Sequence, residues 1–216
     1  MNETKAQLVQ IPVDDVHVEG LLELPANAQG IVLFAHGSGS SRHSPRNNYV
    51  ARVLRNSGIG TLLMDLLTPQ EDEDYQARFD IALLTRRLLA ATRWITAEKH
   101  ASNLPVGYFG ASTGAAAALR AASEPGQEIA AIVSRGGRPD LAGKHALENV
   151  KAPTLLLVGG ADEVVIELNR DAYDQISAPK ELSIIPGASH LFEEPGTLEE
   201  VVRQTVGWFS RYLRRV

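Results

Sequence analysis

From residue 31 onward the chain alternates between short apolar runs and longer segments of mixed character. "GIVLFAHG", "GTLLMDLL", "PVGYFGAS", "IAAIVSRGG", "APTLLLVGG" and "ELSIIPGAS" are nearly continuous in aliphatic residues. That is the pattern of central parallel strands covered on both faces, and the segments between them are the expected crossover helices. Earlier, "VHVEGLLELP" alternates loosely and stops at Pro25, which predicts a half-exposed antiparallel strand, with the early strands at one edge of the sheet.

The helices are expected over residues 46–57, 75–98, 113–123, 163–176 and 197–215. In the second of these Ile81, Leu84, Leu88, Ala91 and Ile95 recur at three- and four-residue steps. This stripe faces the sheet and leaves Arg86, Arg87 and Arg93 outside it. The acidic "PQEDEDYQ" reads as a solvated loop opening that helix, where carboxylates suit the positive end of the helix dipole, and not as a metal site.

With 216 residues, 44% hydrophobic and 22% charged, the chain can bury one substantial core, so a single domain over residues 1–216 is expected. A net charge of -5 and a pI near 5.7 supply no basic field for a nucleic-acid backbone, which argues against that partner. The start "MNETKAQLVQ" has neither the basic residues nor the apolar run of a secretory signal, and no stretch is long enough to span a bilayer. The expectation is a cytoplasmic protein with no membrane partner; no oligomeric state is assigned. The absence of cysteine removes disulfides, thiolate metal sites and a cysteine nucleophile from consideration.

Candidate chemistry centres on "VGYFGASTGAAAALR", where an apolar run passes directly into an alanine-rich segment. A serine flanked two positions away by Gly110 and Gly114 can stand on a sharp strand-to-helix bend, its hydroxyl raised above the sheet. The alanines let the next helix lie close under the strand, with its positive N-terminus toward Ser112. A serine nucleophile needs a base, and the base needs an orienting acid. Among six histidines, His190 in "PGASHLFEEPG" follows the last apolar strand and falls on the same strand-end rim as Ser112. His17, His100 and His145 fall elsewhere. Asp162, after the penultimate strand in "LLLVGGADEVV", is the preferred acid over Glu163 and Asp65, because its loop should neighbour that of His190.

"LFAHGSGSSRHSPRN" supplies a glycine-rich loop from which a backbone N–H can meet an oxyanion, together with the N–H of the residue after the nucleophile. We assign these donors to Ser38 and Thr113, with Gly39 as the substitute for Ser38, and read His36 as a brace for the loop. Two strand-end loops, "SSRHSPRN" and "SRGGRPD", are rich in arginine. Arg42, Arg46, Arg135 and Arg138 could therefore hold a substrate carboxylate, the alternative being that they pair with the protein's own acids.

In four ordered places, His36-Gly37, Gly110 to Gly114, Asp162 and Ser189-His190, the chain resembles the α/β-hydrolase superfamily and, within it, the small dienelactone-hydrolase-like group. The resemblance spans nearly the whole chain. It implies the α/β-hydrolase fold: an eight-stranded, mostly parallel sheet flanked by helices, with an antiparallel second strand. It also implies cofactor- and metal-free hydrolysis of small ester or lactone substrates. Dienelactone hydrolases similar to this chain carry cysteine where Ser112 stands, which argues against dienelactone itself as substrate. The segment from Ile132 to Pro153 is too short for a helical lid, so an open, shallow site is expected. A binding or sensor protein on the same scaffold is the competing class, and acyl transfer or perhydrolysis could use the same triad.

Overall fold

A computed structural model describes residues 6–214. Its eight strands are β1 (Gln7–Val13), β2 (Val16–Glu23), β3 (Ile31–Ala35), β4 (Gly60–Met64), β5 (Val106–Ala111), β6 (Ile129–Arg135), β7 (Thr154–Gly159) and β8 (Lys180–Ile185). They form one sheet in the order β1-β2-β4-β3-β5-β6-β7-β8. β2 runs antiparallel to both of its neighbours, and β3 to β8 are parallel. The strand leading to Ser112, β5, thus lies in the interior of the sheet, and β3, β4, β5 and β7 are buried along their whole length, as their unbroken aliphatic runs require.

One apolar layer gathers α3 (Ile81–Ala97), α4 (Thr113–Ser123) and α5 (Lys144–Asn149) against the sheet, and Ala172 and Ile176 join it from the end of α6 (Glu163–Gln175). The other layer holds α1 (Pro45–Asn56) and α7 (Thr197–Tyr212). α4 begins at Thr113 as expected, and its alanines 115–118 are fully buried. α7 ends at Tyr212; position 215, the expected end, lies outside the described residues, as do residues 1–5 of the polar start. No helix among the described residues is long and apolar enough to cross a membrane.

Three expectations are corrected. The run "ELSIIPGAS" forms the outer strand β8, where only Ile185 is fully buried, so it is not a central strand. The helix expected from residue 75 begins at Ile81, capped by Asp80 accepting the Leu83 N–H at 2.9 Å. Before it, "PQEDEDYQ" is folded: α2 (Pro69–Asp72) carries a reciprocal capping box between Thr68 and Glu71, and a 3-10 turn (Ala77–Phe79) follows. The third correction explains that order. Arg87 lies under this segment with its side chain only 4% exposed and donates to Glu71 at 2.6 Å. Arg86 and Arg93 are exposed as expected. A buried guanidinium is tolerated where a carboxylate meets it, and Glu71, locked by its cap, supplies one.

Arg87→Ala is expected to cost about 2–3 kcal/mol, since it removes the cation that Glu71 was desolvated to meet. Urea unfolding checks this through a lower midpoint at unchanged slope. Arg86→Ala, on the exposed face of the same helix, should change stability by less than about 0.5 kcal/mol.

Candidate active site

Ser112 stands between the last residue of β5 and the first of α4 with φ 50 and ψ -121, a backbone region that costs a non-glycine residue about 1–3 kcal/mol unless its surroundings enforce it. The enforcement comes from both sides. A Cβ at Gly110 would lie 2.7 Å from Ala115 N, and one at Gly114 would lie 2.5 Å from His36 O. Only glycine lets the helix, the strand and the β3 loop approach so closely. The Ser112 peptide is then pinned by its neighbours: its N–H donates to Arg135 O at 3.3 Å, and its carbonyl accepts from Arg138 N–H and Ala115 N–H, each at 3.1 Å. The side chain is left half-exposed at the carboxyl end of the sheet.

Asp162 and His190 meet at that same end. Their loops are joined by main-chain bonds, Ala161 N–H to Ala188 O at 2.9 Å and Gly160 N–H to Ile185 O at 2.8 Å. His190 Nδ1 contacts Asp162 Oδ2 at 2.6 Å, the carboxylate being only 18% exposed. A carboxylate on Nδ1 fixes the tautomer in which Nε2 is free to accept a proton. A Cβ placed on Gly136, just past β6, would lie 3.5 Å from His190 Cε1, so the ring sits beside the strand adjacent to Ser112. Among the described residues no hydrogen bond joins Ser112 Oγ to His190. Glu163 is exposed at the start of α6, and Asp65 is turned to Arg42.

The β3 loop reaches Ser112 through its start. His36 is buried and spans two backbone groups: Nδ1–H donates to Gly37 O at 2.9 Å, and Nε2 accepts from Leu66 N–H at 3.0 Å. It braces the loop. Ser38 and Thr113 come together, with Ser38 N–H donating to Thr113 Oγ1 at 3.0 Å. Among the described residues neither Thr113 N–H nor Gly39 N–H has a protein acceptor.

Of the four arginines, three have acids of their own. Arg42 is gripped by Asp65 and Glu19, Arg46 donates to Glu193 at 3.1 Å, and Arg138 makes a two-pronged contact with Asp140 at 2.9 and 2.7 Å. Arg135 has none. Sequence reasoning missed Glu194, whose carboxylate accepts Ser189 N–H at 3.0 Å and is held below its ordinary pKa by that bond; it steadies the His190 loop. It also missed Phe192, a buried residue at φ 55 that turns this loop back into the core.

A cavity of about 10 Å³ lies between the β3 loop, Arg78 and Thr113, and one of about 160 Å³ adjoins it beside Asp65 and Thr68. Cavities of about 730 and 810 Å³ open at the other end of the sheet, near Gln7, Ala28 and Leu104, and near Pro105, Glu128 and Arg214. Ser112, Asp162 and His190 border neither. Between β6 and β7, a 3-10 turn (Pro139–Ala142) and α5 pack against α4. Among the described residues no group of three or more acidic or histidine side chains gathers as metal ligands would.

A mostly parallel sheet whose central strand leads into a glycine-flanked serine, with Asp and His on the loops after its last two strands, defines an α/β-hydrolase. Residues 18–213 match the Dienelactone hydrolase family, and the chain belongs to that family. It is 55% identical to a dienelactone hydrolase from Anabaena variabilis ATCC 29413, with a TM-score of 0.95 over 99% of this chain and 100% of that one. Est1E from Butyrivibrio proteoclasticus shares the fold at 16% identity, with a TM-score of 0.81 over 95% of this chain and 98% of its own. The chain is also 55% identical over 205 residues to two Mycobacterium tuberculosis proteins named "Putative phosphoribosyl transferase". That match covers 95% of this chain and 46% of theirs, so the chain spans about half the length of these curated relatives.

The burial of His36 favours its neutral form and lowers its pKa from the ordinary 6.5. Protonation would also force Nε2 to give up the Leu66 N–H. The unfolded chain therefore takes up this proton first as pH falls, and the stability His36 contributes is complete above about pH 6.5 and lost progressively below it. The melting temperature should fall between pH 7 and 5 by more in the wild type than in His36→Gln, which has no proton to accept.

Proposed function

We propose that the protein is a serine hydrolase that cleaves small, short-acyl esters or lactones through an acyl-enzyme on Ser112. The observation that carries this reading is the enforced backbone of Ser112 beside a His190–Asp162 pair whose carboxylate holds Nδ1 at 2.6 Å. In this reading the hydrogen bond between Ser112 Oγ and His190 Nε2 forms when substrate fills the site, as catalytic hydrogen bonds that are long without substrate commonly do.

His190 Nε2 takes the serine proton as Oγ attacks the acyl carbon, and Asp162 stabilises the imidazolium that forms. The negative charge on the carbonyl oxygen falls at the positive end of α4, where Thr113 N–H is unpaired and Ser38 N–H exchanges Thr113 Oγ1 for the oxyanion. The same proton then goes to the leaving alkoxide. Water, deprotonated in turn by His190, attacks the acyl-enzyme and frees the acid and Ser112. The small cavity beside Gly37 and Thr113 suits small substrates. The match to the Anabaena dienelactone hydrolase supports the hydrolase class, and phosphoribosyl transfer is the name of proteins twice as long.

Ser112→Ala and His190→Ala should each lower kcat on p-nitrophenyl esters by roughly 10^4 to 10^6 while the fold is retained, and Asp162→Asn by about 10^4. A fluorophosphonate probe should label the wild type at Ser112 and leave Ser112→Ala unlabelled. Rapid labelling without ester turnover would favour a sensor on the same scaffold, and wild-type rates in any of the three variants would remove that residue from the triad.

A further inference from the structure

Asn169 is fully buried on α6, the helix that Asp162 opens. Asparagine is a poor helix former and a costly core residue, because its amide must be bonded where water is excluded. Only the donor half is answered. Nδ2 donates to Val165 O, one turn back on the same helix, at 2.8 Å, and to Gly137 O, in the loop after β6, at 3.0 Å. Oδ1 has no partner among the described residues. The first bond fixes the side chain on its own helix, so the second acts from a fixed point.

Gly137 is the middle one of three consecutive residues that meet the proposed machinery at different places. Gly136 lies against the His190 ring, and Arg138 N–H donates to the Ser112 carbonyl at 3.1 Å. Gly137 itself is pressed close to α4, where a Cβ on it would lie 2.7 Å from Ala115 Cβ, and it has no side chain with which to set the orientation of its peptide. Its carbonyl and the Arg138 N–H belong to one planar peptide unit, in which the two groups point in opposite directions. Whatever holds that carbonyl therefore aims that N–H.

The same relation repeats one step further on. The Ser112 carbonyl that accepts the Arg138 N–H shares its peptide unit with the Thr113 N–H, which has no protein acceptor among the described residues. The result is an unbroken run: Asn169 Nδ2–H to Gly137 O, Arg138 N–H to Ser112 O, and Thr113 N–H at its end. All the donors face the same way along it, so each bond polarises the next. Ala115 N–H also meets the Ser112 carbonyl, but from within α4. The run from Asn169 reaches that carbonyl from outside the elbow.

We propose that Asn169 is a positioning residue for the oxyanion hole. Acting through two peptide units, it orients and polarises the Thr113 N–H toward the negative charge that develops on the carbonyl oxygen of the substrate. One helix then carries both Asp162, which orients the base, and Asn169, which orients the donor. The inference rests on the esterase reading for the identity of that charge, but not for the run of bonds.

Asn169→Leu fills about the same space without a donor. Its kcat on p-nitrophenyl butyrate, counted per serine that a fluorophosphonate labels, should fall roughly ten- to hundredfold, since a misaimed donor costs less than a deleted one. Acylation and deacylation both pass through an oxyanion, so both slow together and KM should stay within about twofold. Amide hydrogen exchange followed by NMR reads the run without turnover. Arg138 N–H should exchange about fivefold faster or more, while Gly136 N–H, bonded to Leu157 O in the same loop, keeps its wild-type rate. A plain brace would speed both amides and lower the melting temperature with kcat per labelled serine unchanged. That result overturns the proposal, as does a fall in kcat with Arg138 exchange unmoved. If Asn169→Leu fails to fold, Asn169→Asp, nearly isosteric and unable to donate once ionised, decides by the same readings. If the wild type cleaves no ester and takes no label, the esterase reading falls and exchange alone decides: a selective change at Arg138 leaves the orienting run standing, and the lack of one removes it.

Discussion

Two positions, Gly110 and Gly114, admit no side chain, and the rest of the molecule is organised around that restriction. Because β5, α4 and the loop after β3 meet there at backbone distance, Ser112 is driven into a conformation that an isolated chain would avoid. Its oxygen then stands above the sheet instead of within it. The fully buried alanines of α4 extend the same close contact along the helix. The strain at Ser112 is sustained by three main-chain bonds and by the packing of a whole layer, so its backbone is held by the core beneath it.

The remaining groups arrive by a different route. Asp162 and His190 lie on loops that follow β7 and β8, tied to one another by backbone bonds and, for His190, by Glu194 and the turned Phe192. Parallel strands bring all their carboxyl ends to one rim, so residues far apart in the chain converge there. On the opposite flank of Ser112, the His36 ring and the Arg42–Asp65–Glu19 cluster hold the β3 loop against β4. Ser112 is thus flanked on both sides by contacts that involve neither its hydroxyl nor the His190–Asp162 pair.

Much of this was legible in the sequence, and what was not has a common cause. The elbow announces itself because glycine, serine and glycine fall at fixed local spacing, and Asp162 and His190 because each follows an apolar run. The start of α4 could be read to the residue. Arg87 could not, because the helical stripe that places Arg86 outside places Arg87 there too. Its acceptor, Glu71, is 16 residues away in a segment whose acidity reads as solvation. The same holds for the arginine loops: Arg42 and Arg46 look alike in sequence, yet their acids come from β2, β4 and the His190 loop. Composition cannot say which arginine is left over, since that depends on partners across the sheet. β8 reads as interior because an aliphatic run does not reveal that its outer neighbour is missing.

The two ends of the sheet have different occupations. Ser112, Asp162 and His190 lie at the carboxyl rim, whereas Gln7, where the first strand begins, and Arg214, just past the last helix, border the large openings at the opposite rim. A polypeptide joined to either of these points would leave from the pole facing away from Ser112. An extension at either point would start from the rim opposite Ser112 and so leave the surface around Asp162 and His190 uncovered.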